Sequence, residues 1–293
     1  MSKHTTFKIG GCAKFLVIVK EIDKLVELLN FLTGEGENFL ILSGGSNMLM
    51  PDDGFDGVVV KISADKTKLE NGIIEAEAGA KLSDVVAIAL KNSITGLEWA
   101  VGIPGTIGGA VRGNAGAMGD DMSKNILEVE CWKDGEVQIL KNDECGFGYR
   151  DSFFKQNGWV VLRVKLKAEK SDMLKINKLI TENFQKRQTK LPTLPSAGSF
   201  FKNIHVADWN VEKFPLPEKF IGRKMVPVGW VLEQTGLKGL TVGGAKVADE
   251  HGNFIVNFNN ASQKDVLKIV EIIKEKVYNK FGINIEEEVQ IIN

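Results

Sequence analysis

Cysteine is scarce in this 293-residue chain. Cys12, Cys131 and Cys145 are the whole complement, an odd number with no C-x-x-C spacing. That speaks against a disulfide framework and against a cysteine zinc site, and three reduced thiols suit a cytosolic compartment. Histidine is equally sparse: His4 and His205 carry no metal-site spacing, and a lone His251 is most simply structural. No run of about 18 apolar residues occurs, which excludes a conventional spanning helix. The first apolar run, Phe15 to Val19, is too short for a secretory h-region. Charge of one sign is missing too: 37 Lys plus Arg face 38 Asp plus Glu, for a net charge of -1. Such a balance leaves no electrostatic footprint for nucleic acid. Neither G-x-G-x-x-G nor G-x-x-x-x-G-K-[ST] is present, which disfavours a Rossmann dinucleotide domain and a P-loop NTPase. The expectation is a cytoplasmic protein with neither a membrane nor a nucleic-acid partner. Its oligomeric state is not encoded visibly, with a monomer favoured.

What is present is an ordinary globular composition, 43% hydrophobic and 26% charged. At roughly 150 residues per domain the length predicts two or three domains. Phe15 to Val19 reads as a buried strand, Ile22, Leu25, Leu29 and Leu32 recur at helical spacing, and Phe39 to Leu42 reads as a second strand. Further strands are predicted at 57–62, 73–78, 126–132 and 160–167, and a helix at 82–90. A polar helix over 172–188 ends before Pro192 and Pro195. Ser262 with Asp265 predicts the capped start of a helix that buries Val266, Ile269, Val270, Ile273 and Val277. The alternation from Ile283 to Ile292 predicts a closing strand. The chain divides into 1–64, 65–170 and 190–293.

Glycine is the outlier, with 31 residues, and the excess falls in two loops. Ser43-Gly44-Gly45-Ser46-Asn47 follows an apolar strand. Glycine there permits positive φ and close backbone approach, and serine hydroxyls with main-chain N–H groups can face an anion. The second stretch runs from Gly102 through Pro104, Gly105, Thr106, Gly108 and Gly109 to Asn114 and Gly116. It predicts little regular structure, and a loop that long in a compact domain is usually functional. These are either ordinary turns or a pair of backbone cradles for a phosphate-bearing cofactor.

The sequence resembles the UDP-N-acetylenolpyruvoylglucosamine reductases. The resemblance is carried by Thr6-Phe-Lys-Ile-Gly-Gly11, Gly44-Gly-Ser-Asn47, Gly102-Ile-Pro-Gly-Thr-Ile-Gly-Gly-Ala110 and Asn114-Ala-Gly-Ala117. It continues through Phe147-Gly-Tyr-Arg-Asp-Ser152, Ser196-Ala-Gly-Ser-Phe-Phe-Lys-Asn203, Gly229-Trp-Val-Leu-Glu-Gln-Thr-Gly236 and the Glu-Glu-Val around Glu288. It implies an α+β fold: an FAD-binding fold of the vanillyl-alcohol-oxidase (PCMH-like) class with a C-terminal α/β substrate domain. The segments 1–64 and 65–170 would then be two FAD-binding subdomains. The short span from Arg150 to Ser199 looks like the shorter branch of the family, which lacks an inserted tyrosine-bearing loop.

The same resemblance implies FAD and NADPH as cofactors and a small nucleotide sugar as substrate. FAD would be held by Ser43, Gly44, Gly45, Ser46, Asn47, Gly102, Pro104, Gly105, Thr106, Gly108, Gly109, Asn114 and Gly116. Ser199 matches the proton donor, Arg150 the catalytic arginine and Glu288 the acid before the valine, for which a raised pKa is expected. Arg187, Lys190 and Asn203 match substrate contacts. Departures from the family pattern are Ser43 for glycine, Arg112 for an aromatic residue and Ile204 for proline. Ser43 would strain its loop if positive φ were required there, and Arg112 would offer an extra phosphate contact. The competing expectations are a flavin oxidase on the same fold and a nucleotide-sugar binding protein without activity.

Overall fold

The computed structural model describes residues 1–189 and 191–293. The chain packs as two units, neither of them a continuous stretch. One is built from residues 13–45 and 56–189, the other from 1–12, 46–55 and 191–293. Packing therefore cuts across the first of the three sequence segments, because 1–12 and 46–55 group with the C-terminal third.

In the first unit, Phe55–Ile62 is the central strand of a three-stranded sheet, between Ala13–Val19 and Phe39–Leu42. It runs parallel to Phe39–Leu42, with Phe39 opposite Val58. The helix Ile22–Gly34 buries Ile22, Leu25, Leu29 and Leu32, the apolar stripe that a 3.6-residue period lays along one face.

A five-stranded sheet follows in the same unit. Its order is Glu136–Lys141, Ile126–Lys133, Val160–Lys167, Ile73–Glu77, Thr67–Glu70, antiparallel throughout. Asp134 and Gly135 both take positive φ, 49° and 93°, the two-residue turn whose twist suits a tight hairpin. That turn returns the chain into Glu136–Lys141, a strand whose exposed Val137 and Ile139 hide its period. One sheet face is apolar, with Val129, Val164, Leu166, Ile74 and Ala76 buried. The other carries Arg163, whose Nη1 reaches both carboxylate oxygens of Glu130 at 3.0 and 2.8 Å.

Residues 102–119 are more regular than the sequence suggests, because Ile107–Arg112 forms a short helix. Its two glycines conceal it, yet Gly108 is needed for packing. A β-carbon there would come 2.8 Å from that of Ala78, and the Gly108 N–H donates to the Ala78 carbonyl at 2.9 Å.

The second unit is organised by a four-stranded antiparallel sheet: Ser196–Ser199, Phe254–Asn257, Ala245–Val247, Thr241–Val242. The helix Gln263–Phe281 buries Val266, Ile269, Val270, Ile273 and Val277 as its period requires. Ser262 and Asp265 form the reciprocal cap, and Gly282 at φ 70° ends the helix. Trp209, Phe214, Trp230 and Phe281 pack as a cluster beside it.

The predicted closing strand is mostly irregular. Gln290–Ile291 pairs parallel to Met48–Leu49, and Glu287 makes an isolated bridge to Phe201. Glu286 and Glu287 go instead to separate lysines, Lys202 at 3.1 Å and Lys274 at 2.7 Å. Among the described residues no helix is long and apolar enough to cross a membrane.

Candidate active site

Two glycine turns of the first unit meet directly. A β-carbon on Gly44 would fall 2.7 Å from the Gly105 Cα, and one on Gly109 would lie 3.5 Å from Ser43 Oγ. The Ser43 and Thr106 hydroxyls hydrogen-bond to each other across this junction. Two hydroxyls share one proton in such a bond, so the second proton remains available to an anion. Gly45 takes φ 60°, while Ser43 is not among the positive-φ residues. The departure at Ser43 therefore creates no backbone strain, and its hydroxyl gains a use. The site is built without charge, which fits a pyrophosphate gripped by main chain and hydroxyls rather than by lysine. Ser43, Gly44, Gly45, Gly105, Thr106 and Gly109 are brought together. Gly102 and Pro104 lie on the exposed stretch leading into the second turn.

Asn114 is held by both ends of its side chain. It is buried at φ 39°, its Nδ2 donates to the Gly148 carbonyl at 2.8 Å, and its Oδ1 accepts from the Ser123 N–H at 3.1 Å. Both ends of the carboxamide serve the protein, tying the glycine stretch to the turn that bears Arg150.

That turn is closed by a pair of main-chain bonds between Gly148 and Asp151, at 3.0 and 3.3 Å. Arg150 occupies it at φ 55°, a left-handed conformation that costs a non-glycine residue about 1 kcal/mol or more. Its surroundings hold it there. Arg150 Nη2 donates to the Gly116 carbonyl at 2.6 Å, Lys155 Nζ donates to the Arg150 carbonyl at 2.9 Å, and buried Ser152 Oγ donates to the Arg112 carbonyl at 2.6 Å. Gly116 thus acts as an acceptor for the arginine. Arg112, the family departure, has its pKa lowered by burial, with Asp151 opposing the shift.

Arg187 lies in the same unit and is depressed first by burial and then by the charge of Arg150. Its Nη2 reaches the Trp99 carbonyl at 3.5 Å, and Gly102 leaves room for its side chain. Arg187 Nε and Trp99 Nε1 are buried with no acceptor among the described residues. Orphaned buried donors beside two like charges mark a place suited to an anion. Lys190, the neighbouring candidate, lies outside the described residues.

Ser199 and Glu288 belong to the second unit. Ser199 ends a strand opposite Phe254, after a register irregularity at which Gly198 takes φ 84°. A bulge of this kind re-aims the side chain that follows it. The Glu288 N–H donates to the Phe200 carbonyl at 2.8 Å, Phe201 bridges Glu287, and the Lys202 N–H donates to the Glu286 carbonyl at 2.9 Å. The serine and the glutamate therefore belong to adjoining, mutually bonded backbone segments. Asn47 joins them: its Nδ2 donates to the Glu288 carbonyl at 3.1 Å, and its own carbonyl accepts the Gln290 N–H at 3.0 Å. Asn47, with its neighbour Ser46, falls in this unit, apart from the Ser43–Gly45 half of the loop.

Asn203 Oδ1 accepts the Val228 N–H at 3.0 Å, at the start of the helix Val228–Gln234. Ile204, where proline is usual in the family, pairs with Val226 and is buried. No sequence pattern singles out Asn253, an ordinary-looking loop residue that proves buried against Phe201.

A family model described as "FAD binding domain" matches residues 13–141, and one described as "UDP-N-acetylenolpyruvoylglucosamine reductase, C-terminal domain" matches residues 187–292. The UDP-N-acetylenolpyruvoylglucosamine reductase of Caldanaerobacter subterraneus subsp. tengcongensis is 39% identical, over 100% of this chain and 91% of that protein. Its namesake in Pseudothermotoga lettingae is 37% identical, over 98% of this chain and 94% of the relative. Among solved structures, the crystal structure of UDP-N-acetylenolpyruvylglucosamine reductase from Thermus caldophilus superposes with a TM-score of 0.81 at 31% identity, covering 100% of this chain and 97% of that one. Matches of this identity and extent establish that the chain belongs to the UDP-N-acetylenolpyruvoylglucosamine reductase family, whose members are FAD-dependent oxidoreductases.

Proposed function

We propose that the protein reduces the enolpyruvyl ether of UDP-N-acetylglucosamine enolpyruvate to UDP-N-acetylmuramate in the cytoplasm, with NADPH as reductant and FAD as carrier. FAD, when bound, would supply the chemistry of hydride transfer from NADPH to C3 of the enolpyruvyl group. Ser43, Gly44, Gly45, Gly105, Thr106 and Gly109 are the residues suited to hold it, through main chain and hydroxyls.

Hydride arrival at C3 leaves negative charge on C2 and on the adjoining carboxylate. The Arg150 guanidinium binds that carboxylate and offsets the growing charge, a task its planar fork of donors suits. Ser199 Oγ delivers a proton to C2. An alcohol is a weak acid, but a carbanion-like carbon is a strong enough base to take its proton. The Glu288 carboxyl acts beside the same centre and helps most when protonated. Arg187 and Lys190 serve the anionic diphosphate side of the substrate, and Asn203 is the remaining substrate contact.

The observation that carries this reading is the Glu288 N–H bond to the Phe200 carbonyl at 2.8 Å. It joins the serine and glutamate segments within one unit of a chain whose family is known. The test is a visible spectrum of the purified protein followed anaerobically. NADPH should bleach the flavin band, and the enolpyruvyl nucleotide should restore it. Bleaching without recovery would defeat the substrate assignment, and absence of flavin would defeat the cofactor.

A further inference from the structure

Phe200 and Phe201, the two residues after Ser199, are clamped from both sides by hydrogen bonds of the second unit. One side is the backbone of residues 286–288, as described above. The other side is a single residue, Asn253, which is 4% exposed. Its Oδ1 accepts the Phe201 N–H at 2.9 Å, its Nδ2 donates to the Phe201 carbonyl at 2.9 Å, and its main-chain carbonyl accepts the Phe200 N–H at 2.8 Å. The carboxamide thus reproduces the edge of a peptide, offering one donor and one acceptor in a fixed plane. A carboxamide carries the donor and the acceptor on separate atoms of one plane, as a peptide group does. Asn253 is itself oriented, because its N–H donates to His251 Nδ1 at 3.1 Å. His251 is wedged against Gly229, where a β-carbon would come 2.6 Å from its Cε1, and its ring meets Phe254 edge-on at 5.1 Å. Phe254 is the ladder partner of Ser199.

We propose that Asn253 is a positioning residue for proton delivery: it sets the 199–201 backbone, and through Phe200 the Glu288 segment, so that Ser199 Oγ is aimed at the carbon it protonates. The proposal rests on Ser199 being the donor, as argued above. Folding alone asks only that the main-chain groups of Phe201 be satisfied. Here they are satisfied by the side chain of a residue whose main chain also holds Phe200, the carbonyl partner of Glu288, and His251, whose ring meets the ladder partner of Ser199. A sub-ångström error at a proton donor costs rate rather than affinity.

The experiment is a double-mutant cycle on the FAD-loaded enzyme, measured by stopped flow in separate half-reactions. Asn253→Asp keeps the acceptor for the Phe201 N–H and removes the donor to its carbonyl, while Asn253→Ala removes both. Each variant should reduce its flavin with NADPH within about twofold of the parent and bind substrate with a similar Kd. Each should reoxidise with the enolpyruvyl nucleotide about 10-fold to 100-fold more slowly. In a Ser199→Ala background the same changes should cost less than about twofold, because there is no donor left to aim. Equal cost in both backgrounds, parental reoxidation rates, or loss of flavin from both variants would each assign Asn253 to folding and overturn the proposal. Parental reoxidation by Ser199→Ala alone would instead overturn the donor assignment.

Discussion

A β-carbon built on Gly44 would lie 2.7 Å from the Cα of Gly105, so the two glycine turns touch backbone to backbone. Neither side of this contact is the mobile end of a side chain, so an added methyl group must push the turns apart. Gly44→Ala should lower stability by about 1–3 kcal/mol, as overpacking of a tight site does. It should also purify with less FAD, because the Ser43 and Thr106 hydroxyls share the same junction. The ratio of flavin to protein absorbance and a thermal melt read both effects. Gly34→Ala is the control: nothing lies within 4 Å of its added carbon, and it should keep its flavin.

Arg150 is held by geometry that a lysine cannot reproduce. Its Nη2 bond to Gly116 fixes one edge of the guanidinium, and an ammonium would keep the charge but lose the fork. Arg150→Lys should retain FAD and its reduction by NADPH, while slowing flavin reoxidation by substrate on the order of 10²-fold. Single-turnover measurements of the two halves separate these outcomes, and equal losses in both would point to a folding defect.

The parts of this molecule that were legible in the sequence are those where residues close along the chain decide the outcome. Ser262 with Asp265 fixes a helix start locally, and the spacing from Ile22 to Leu32 fixes a buried face. The Ile107–Arg112 helix was hidden because Gly108 answers to Ala78, a residue distant along the chain. The closing segment alternates like a strand, yet Glu286 and Glu287 are drawn to lysines on different elements. The proposed roles of Ser199, Arg150 and Glu288 rest on motifs, whereas Asn114 and Asn253 bind backbone atoms. No motif announces which peptide group a buried carboxamide will satisfy, since that depends on tertiary contact alone.

Ser199 and Glu288 should fail differently. Ser199→Ala should leave NADPH oxidation intact and slow reoxidation by substrate roughly 10²-fold or more. Glu288→Gln keeps a neutral hydrogen-bonding group, so it should be impaired chiefly through a changed pH profile of the oxidative half-reaction. Near-parental turnover with an unchanged profile would show that no ionisable group is needed at Glu288.

The three thiols should titrate unequally. Cys131 and Cys145 are buried, and desolvation pushes both pKa values to about 12. Thiolate is the reactive form, so both should resist a disulfide reagent at neutral pH. Exposed Cys12 should react promptly. One thiol per chain in the native enzyme and three in denaturant is the expected count. A second fast thiol would mean that the sheet bearing Cys131 opens readily.

Asp265 links the cap of the Gln263–Phe281 helix to pH. Its carboxyl is held below the usual range, first by the Ser262 N–H, against the opposing effect of burial, and further by the Gly244 N–H. A folded-state pKa below the unfolded value stabilises the fold above the unfolded pKa of about 3.9. That contribution is lost as pH falls through the folded value. Asp265→Asn should therefore cost about 1 kcal/mol at pH 7, in the range of a lost helix cap, and less at about pH 3.5. Urea midpoints of parent and variant at the two pH values give the comparison. If the gap is as wide in acid as at neutrality, the carboxylate charge contributes nothing and the cap works through hydrogen-bond geometry alone.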